Sequence, residues 1–207
     1  MTEWDDSQTK AVSSDITDKS NALPARYFTD PEVFEMEKEK VFGQYWVYAG
    51  HANCIKEAGE FFTRTIGDRQ LIIVRGHDGE VKAFDNVCAH RGSKMVEDTP
   101  MTDPGSTRRI KCPYHLWTYD FEGELKSTPK SFEEAGMNPD LEDDEVQEFD
   151  CEKNALNDVH VDTIGPLVFV NLSDDPMSLD EQAGLMKERL EELPLGEYEH
   201  ANRIVSE

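Results

Sequence analysis

The sequence has no long apolar run and few basic residues. No stretch approaches the roughly 18 apolar residues of a membrane-spanning helix, and residues 1–6 have neither the basic nor the apolar region of a signal peptide. The 207 residues include 21 Lys and Arg against 44 Asp and Glu, a net charge of −23. Because phosphate binding needs clustered basic side chains, neither nucleic acid nor an anionic membrane is an expected partner. We expect a cytoplasmic protein.

The acidic excess is spread along the whole chain and is not gathered in one tail. This pattern resembles proteins from salt-accumulating archaea, where a screening length of about 3 Å at about 1 M salt makes self-repulsion tolerable. The sequence therefore predicts a halophilic protein. An ordinary acidic protein remains the alternative, and in either case the charge concerns the solvent and not the chemistry.

Two helices are predicted near the ends of the chain. Residues 1–24 are polar and without an apolar period, which predicts a disordered acidic tail. A helix should follow, with Thr29 or Asp30 as its cap and Pro31 in its first turn, and should end near Gly43. The apolar pattern of residues 178–193 predicts a single amphipathic helix before Pro194 and Gly196.

The middle of the chain is typical of an antiparallel β fold. Strand-like segments at residues 45–48, 61–66, 71–74 and 81–84, with hairpin turns at residues 67–68 and 77–80, predict one antiparallel sheet. Further strands are expected at residues 117–121 and 166–172, the second being the most apolar and therefore central. The acidic residues 131–148 are expected to be a surface excursion.

Cysteine and histidine occur together in two mixed pairs. Cys88 and His90 form the first pair, Cys112 and His115 form the second, and 21 residues separate the pairs. Two such loops can offer two thiolates to one metal and two imidazoles to another, which is the ligand set of a Rieske 2Fe-2S cluster. Tetrahedral zinc accepts the same four side chains. Zinc fingers, however, place two Cys together and then two His, so the mixed pairs favour the cluster.

The sequence around these pairs resembles the Rieske domain of aromatic-ring-hydroxylating oxygenase large subunits. The resemblance covers about residues 27–175, and its most similar segments are residues 31–34, 46–51, 86–92, 112–120 and 123–125. It implies a Rieske-type antiparallel β-sandwich with a small cluster-binding subdomain. It also implies that Cys88 and Cys112 hold the inner iron and that His90 and His115 hold the outer one.

Other branches of the Rieske family differ at three positions. Respiratory-complex members carry a disulfide between the ligand loops, where this chain has Ser93 and Tyr114, and a hydroxyl donor where it has Trp117. The resemblance therefore implies a reducing compartment and the lower reduction potential of oxygenases. The separation of the ligand pairs is a few residues longer than the oxygenase pattern, which predicts a polar surface insertion at residues 99–107.

The sequence patterns and this resemblance divide the chain into three parts. Residues 1–24 are the tail, residues 25–175 are the Rieske domain with its cluster-binding subdomain at about residues 86–128, and residues 176–207 are the C-terminal helix and the start of a missing catalytic domain. The remaining histidines are scattered and form no cluster typical of a non-haem iron site. We therefore expect an electron-carrying component that works with a reductase or ferredoxin donor and with an iron domain on another chain. A free-standing Rieske-type ferredoxin is the alternative.

Other conspicuous residues have simpler interpretations. Cys54 and Cys151 are expected to be small, at least half-buried side chains and not redox thiols. His51 is not expected to bind metal with Cys54, and residues 143–145 are expected to be a solvated acidic surface. Trp117 should be a core residue that also shields the cluster, and Tyr119 can hydrogen-bond a cysteine sulfur or merely pack in the core.

Overall fold

A computed structural model describes residue 24, residues 26–128 and residues 152–197. Apart from Pro24, the predicted tail lies outside these residues, and so does the predicted excursion at residues 131–148. The chain divides into two compact units, residues 1–36 and residues 37–207. The first unit contains α1 (Arg26–Thr29) and most of α2 (Pro31–Glu37).

The Asp30 carboxylate accepts a hydrogen bond of 3.0 Å from the Glu32 N–H, as a helix cap does. Asp30 is therefore the cap, which was one of the two predicted candidates.

The second unit begins with a π-helical turn, Lys38–Phe42, which ends before Gly43 as predicted. Its strands in chain order are β1 (Val47–His51), β2 (Glu60–Ile66), β3 (Arg69–Arg75), β4 (Val81–Asp85), β5 (Gly105–Ser106), β6 (Ile110–Lys111), β7 (Thr118–Tyr119), β8 (Leu125–Ser127), β9 (His160–Ile164) and β10 (Leu167–Asn171). They form three antiparallel sheets in the orders β4-β3-β2-β5, β1-β10-β9 and β6-β7-β8. The predicted β fold is confirmed.

The hairpins β2-β3 and β3-β4 form as the sequence predicts. Phe62 pairs with Ile73 in the first hairpin, and Ile72 pairs with Phe84 in the second. Gly67 and Gly79 occupy the turns with φ of +60° and +86°, a conformation that glycine adopts without steric cost. Local pairing of neighbouring segments is the part of a sheet that sequence patterns describe best.

The predicted strand at residues 45–48 does not join these hairpins. It begins at Val47, which pairs with Val170, so β1 belongs to a second sheet in which β10 is the central strand. The expectation that β1 extends the first sheet is therefore wrong, whereas the central place of β10 is confirmed. The reason is that the partner lies more than a hundred residues later, and a local apolar pattern contains no information about such pairing.

Strand β3 connects two cores because both of its faces are buried. Leu71 and Ile73 face the core between the two larger sheets. Ile72 and Val74 face a second core that contains Cys88 and Cys112 together with Trp117, Tyr119 and Phe121. The continuous apolar run of β3 thus contributes side chains to the core that contains Cys88 and Cys112. The small sheet β6-β7-β8 carries the second pair.

The predicted C-terminal helix is two short helices. They are α3 (Leu179–Ala183) and α4 (Leu185–Glu191), and Gly184 between them has φ +48° and ψ −128°. That conformation is far from helical, so the axis breaks and the predicted single amphipathic face does not form. Ser178 and Glu181 make a reciprocal capping box at the start of α3. Among the described residues, every helix is too short or too polar to span a membrane.

The predicted insertion at residues 99–107 is tied to the sheet. Gly105 and Ser106 pair with the start of β2, the Thr99 N–H donates to the Thr63 hydroxyl at 2.8 Å, and Met101 packs against the core between the larger sheets. A Cβ at Gly105 would lie 2.5 Å from the Phe61 ring, so this pairing needs glycine. Four of the nine residues are exposed and five are partly buried, so the segment is not a free surface loop.

Candidate metal centre

The first ligand loop is a tight turn that begins at Cys88. The Cys88 N–H donates to the Ser93 carbonyl at 2.8 Å, and the Gly92 N–H donates to the Cys88 carbonyl at 2.9 Å. Gly92 has φ +66°, which reverses the chain direction. His90 lies in the middle of this turn, two residues after the cysteine.

The second ligand loop, which begins at Cys112, has the same pattern of backbone hydrogen bonds. The Cys112 N–H donates to the Trp117 carbonyl at 2.8 Å, and the Leu116 N–H donates to the Cys112 carbonyl at 3.1 Å. Leu116 has φ +61° and is the only described non-glycine residue with positive φ. His115 lies three residues after the cysteine.

The two thiols lie in the core beneath the loops. Cys88 and Cys112 are each 1% exposed and belong to one apolar cluster. Burial raises the pKa of the Cys88 thiol, a hydrogen bond from Tyr119 opposes that rise, and the neighbouring Cys112 adds to it. Because only thiolates bind metal, Cys88 would have to lose its proton to act as a ligand.

The two imidazoles lie closer to the surface. The rings of His90 and His115 have centroids 4.7 Å apart at 67°, and both residues are partly buried. Trp117 stacks on His90 with a centroid distance of 4.5 Å and an angle of 9°. Burial lowers the pKa of His90, and the charges of His115 and Arg91 lower it further. The neutral imidazole, which is the metal-binding form, is therefore favoured.

The residues present fit a 2Fe-2S cluster by their chemistry and their layering. Two buried thiols lie in the core, and the two imidazoles form a second layer that is open to solvent. Within residues 26–128 and 152–197, no three His, Cys, Asp or Glu side chains gather as a single-metal site would need. The structure thus brings together all four predicted site residues as two pairs.

Tyr119 and Trp117 have the positions that the sequence suggested. Tyr119 is fully buried, and its hydroxyl lies 3.4 Å from the Cys88 Sγ. Of the two interpretations of Tyr119, the hydrogen bond to a sulfur is therefore the one that forms. Trp117 is a core residue, as predicted, and its ring covers one face of His90.

Sequence reasoning missed Asn86, which supports the first loop. Its buried side chain accepts hydrogen bonds from the N–H groups of Met95 and Val96, both at 3.0 Å, and donates to the Val96 carbonyl at 2.8 Å. These three bonds bridge the ends of the loop. Asn86 begins the segment at residues 86–92 that resembles the oxygenase family, but the resemblance does not show these hydrogen bonds.

The remaining predicted residues lie apart from this centre. His51 accepts a hydrogen bond from the Asn53 N–H at 3.2 Å, and Cys54 is half-buried with its pKa raised by burial. The predictions for Cys151 and residues 143–145 lie outside the described residues.

The family model of the Rieske [2Fe-2S] domain matches residues 45–150. The glycine betaine monooxygenase oxygenase subunit of Pseudomonas aeruginosa is 31% identical over 174 residues, which are 84% of this chain and 37% of that protein. The carnitine monooxygenase oxygenase subunit of Escherichia coli is 32% identical over 174 residues, which are 83% of this chain and 42% of that protein. The chain thus spans about two fifths of the length of these curated relatives.

Solved structures of Rieske oxygenases share the fold. A quaternary ammonium Rieske monooxygenase with bound L-carnitine has a TM-score of 0.67 at 28% identity, covering 81% of this chain and 43% of the other. Naphthalene 1,2-dioxygenase from Rhodococcus sp. has a TM-score of 0.68 at 31% identity, covering 81% and 35%. The family match decides between zinc and the iron-sulfur cluster. The chain belongs to the Rieske [2Fe-2S] domain family, is homologous to the Rieske part of oxygenase alpha subunits, and has a Rieske-type 2Fe-2S cluster as its cofactor.

Proposed function

We propose that this chain carries single electrons to a non-haem iron oxygenase centre and that Cys88, His90, Cys112 and His115 are its cluster ligands. The proposal rests on one observation. Two loops with the same backbone hydrogen-bond pattern bring two buried thiols and two partly exposed imidazoles together. A bound Rieske cluster supplies reversible one-electron chemistry.

The four ligands have different roles because their exposure differs. The buried Cys88 and Cys112 would hold the inner iron, where the core excludes water. His90 and His115 would hold the outer iron, and their solvent-facing edge is the side through which an electron enters and leaves. As neutral ligands they add no negative charge, which makes the site easier to reduce than one with four thiolates.

Two neighbouring aromatic residues would tune this site. The Tyr119 hydroxyl is placed to donate a hydrogen bond to the Cys88 sulfur, which favours the reduced and more negative state. Trp117 fixes the ring plane of His90 by stacking. Both residues act through a ligand and are positioning residues.

The oxygenase role is favoured because the similarity extends well beyond the ligand loops. The aligned relatives are oxygenase subunits that match 83–84% of this chain, and a minimal electron carrier would not need the C-terminal helices α3 and α4. The iron centre would lie outside residues 1–207, and a reductase or ferredoxin would supply the electrons. Residues 25–175 would form the Rieske domain, and residues 176–207 would lead toward the catalytic one. A free-standing electron carrier remains the second candidate.

The test is reconstitution with a separate oxygenase partner. The cluster-loaded chain is mixed with a reductase and with a polypeptide that holds iron on two histidines and a carboxylate, and glycine betaine, carnitine and biphenyl are offered as substrates. Substrate-dependent oxygen consumption is expected only in the full mixture, and His115→Ala should abolish it. Hydroxylation by the chain alone would contradict the proposal. Electron transfer without hydroxylation in any mixture would favour the carrier.

A further inference from the structure

We propose that the outer edge of β2 at residues 63–66 binds an extended peptide segment that carries a carboxylate. The peptide would add a short strand to the sheet β4-β3-β2-β5, in a cleft between β2 and residues 98–102. The proposed electron transfer does not involve this edge, so either proposal can fail without the other.

The outer edge of β2 is only partly covered. Its first residues pair with β5, and the Thr63 N–H then donates to the Thr99 carbonyl at 2.8 Å. Beyond this bond, residues 63–65 and residues 98–102 line a cleft of about 370 Å³. The second half of the edge therefore faces the cleft.

The strand register shows which backbone groups point into the cleft. Thr65 pairs with Gln70 of β3. The Gln70 carbonyl accepts a hydrogen bond of 2.7 Å from the N–H of Asn86, which follows β4 on the far side of β3. Because antiparallel pairs alternate between bonded and non-bonded positions, Thr65 and Gln70 do not bond to each other. The Thr65 N–H and C=O thus point outward, as those of Thr63 do.

Three of these outward groups are available for hydrogen bonding. Within residues 26–128 and 152–197, no hydrogen bond reaches the Thr63 carbonyl, the Thr65 N–H or the Thr65 carbonyl. The main chain of an extended peptide matches one donor between two acceptors, whereas a simple anion would match only the donor. Neither proline nor a bulge interrupts β2, although exposed edges are commonly blocked in these ways. The edge is therefore open to strand addition.

The charge of the cleft comes from Arg64. This residue is partly buried, and among the described residues no carboxylate forms an ion pair with it. Asp98, which also lines the cleft, is neutralised by Lys94 at 2.9 Å. A carboxylate on the peptide complements Arg64. Directly opposite residues have side chains on the same face of a sheet, so the carboxylate belongs on the peptide residue opposite Arg64.

The experiment measures fluorescence anisotropy of labelled six-residue peptides with the cluster-loaded full-length chain. The first peptide alternates valine and glutamate, and the second alternates valine and glutamine. In the proposed register, the glutamates lie opposite Arg64, and the valines exchange main-chain hydrogen bonds with Thr65. Two further peptides carry backbone N-methyl groups, one at the valines and the other at the glutamates. These two have the same charge and composition, so they differ only in which edge of the peptide can donate hydrogen bonds.

Two variants of the chain test the edge and the charge separately. Thr65→Pro removes the outward N–H, and proline is tolerated at strand positions whose N–H faces away from the sheet. Thr65→Val is its control, because it retains both the N–H and a β-branched side chain. Arg64→Gln removes the charge. Its control is Arg189→Gln, since Arg189 on α4 is exposed and forms no ion pair among the described residues.

We expect the dissociation constant of the valine–glutamate peptide at about 0.15 M salt to rise by about 10-fold or more in Thr65→Pro. It should rise by about 3-fold in Arg64→Gln and by less than about 2-fold in both controls. The Arg64→Gln effect should shrink at about 1 M salt, where charges are screened beyond about 3 Å, and the Thr65→Pro effect should persist. The valine–glutamine peptide should bind about 3-fold more weakly and should not respond to Arg64→Gln.

Methylation at the valines should abolish binding, whereas methylation at the glutamates should change the dissociation constant by less than about 2-fold. Equal effects of the two methylation patterns would overturn the inference, and so would unchanged binding in Thr65→Pro or no binding of any peptide. If circular dichroism shows that Thr65→Pro loosens the fold, the two methylated peptides decide with the unmodified chain.

Other occupants of the edge give different results. Sedimentation tests a second copy of this chain: self-association that Thr65→Pro abolishes, without peptide binding, would overturn the inference. Competition by free glutamate as strong as that by the unlabelled peptide would identify an anion site and would also overturn it. Cluster absorbance and reduction by dithionite report on the proposed function and should be the same in every variant.

Discussion

The two ligand loops, residues 88–93 and residues 112–117, have the same backbone hydrogen bonds but different side chains at matching positions. In both loops, the cysteine N–H donates to the carbonyl of the residue five positions later. The N–H of the residue four positions after the cysteine donates back to the cysteine carbonyl. The histidine comes at the second position after Cys88 and at the third after Cys112. The turn therefore defines the loop geometry, and the histidine spacing only selects where on the turn the imidazole lies.

The loops differ most in how they are supported. Backbone pairing flanks both loops, as the Val87–Lys94 bridge in the first and as β6 with β7 in the second, but only in the first does Asn86 add three side-chain hydrogen bonds. Tyr119 bonds the sulfur of the first loop. The left-handed position is glycine in the first loop and leucine in the second. The same geometry is thus closed by backbone pairing in both loops, and a buried polar side chain reinforces it only in the first.

Replacing any ligand should have the largest effect, and the effect should be equal in the two loops. Cys88→Ala, Cys112→Ala, His90→Ala and His115→Ala would each remove one of the four proposed bonds between the protein and the metals. We expect iron and sulfide content to fall to background in all four. Cys54→Ser is the control and should retain the cluster, because Cys54 lies apart from both loops. If the ligands of one loop could be replaced without loss of iron and sulfide, the assignment of one cysteine and one histidine to each loop would be contradicted.

The second prediction uses Asn86, since only the first loop depends on a buried polar side chain. Asn86→Ala should lower the free energy of unfolding by about 2–4 kcal/mol, because it leaves the Met95 and Val96 N–H groups without their acceptor. Denaturant titration of the metal-free protein measures this. Asn157→Ala, which removes an exposed amide bonded to Asp85, should cost less than about 1 kcal/mol. Equal losses would show that the first loop does not need this support.

The third prediction concerns Gly92 and Leu116, the residues with positive φ in the two loops. Their substitutions should change the stability of the protein in opposite directions. Gly92→Ala should destabilise the protein by about 1 kcal/mol, because a Cβ is disfavoured at φ +66° even though nothing crowds it. Leu116→Gly should stabilise it by up to about 1 kcal/mol, since it removes the same steric cost. Thermal unfolding of both variants provides the comparison. Destabilisation by both would mean that the exposed Leu116 makes a contact worth more than its backbone cost.

The smallest expected effect concerns the cluster potential. Tyr119→Phe removes the hydroxyl that lies 3.4 Å from the Cys88 sulfur. The midpoint potential should fall by roughly 20–60 mV, which corresponds to about 0.5–1.4 kcal/mol for one electron. Thr118→Ser, at the neighbouring position on β7, is the matched control and should leave the potential unchanged. A Tyr119→Phe potential equal to that of the original protein would remove Tyr119 from the tuning of the site.

Local patterns predicted the hairpins and the ligand loops well. Apolar alternation and turn residues are properties of adjacent segments, so β2, β3 and β4 were found, and so were all four residues that the structure brings together. The pairing of β1 with β10 could not be predicted, because it depends on residues far apart in the chain. Gly184 was overlooked because apolar spacing alone does not show a helix break, and Asn86 because its role comes from three contacts that form only after folding.

Several expectations remain predictions. They include the halophilic character, the cytoplasmic location and the domain boundaries. The first is open to a direct check: the fold should loosen in dilute buffer, where repulsion among 44 carboxylates is barely screened. Circular dichroism against salt concentration measures this, and equal stability at about 0.05 M and about 3 M would contradict it.

We propose that each loop supplies one sulfur and one nitrogen ligand to a single cluster. Electron-nuclear double resonance of the reduced protein, produced in cells fed with isotope-labelled histidine, counts the nitrogen ligands. We expect two histidine nitrogens coupled to the reduced cluster, with one lost in His90→Cys and the other lost in His115→Cys. Coupling to no histidine nitrogen, or to one that both variants retain, would contradict it.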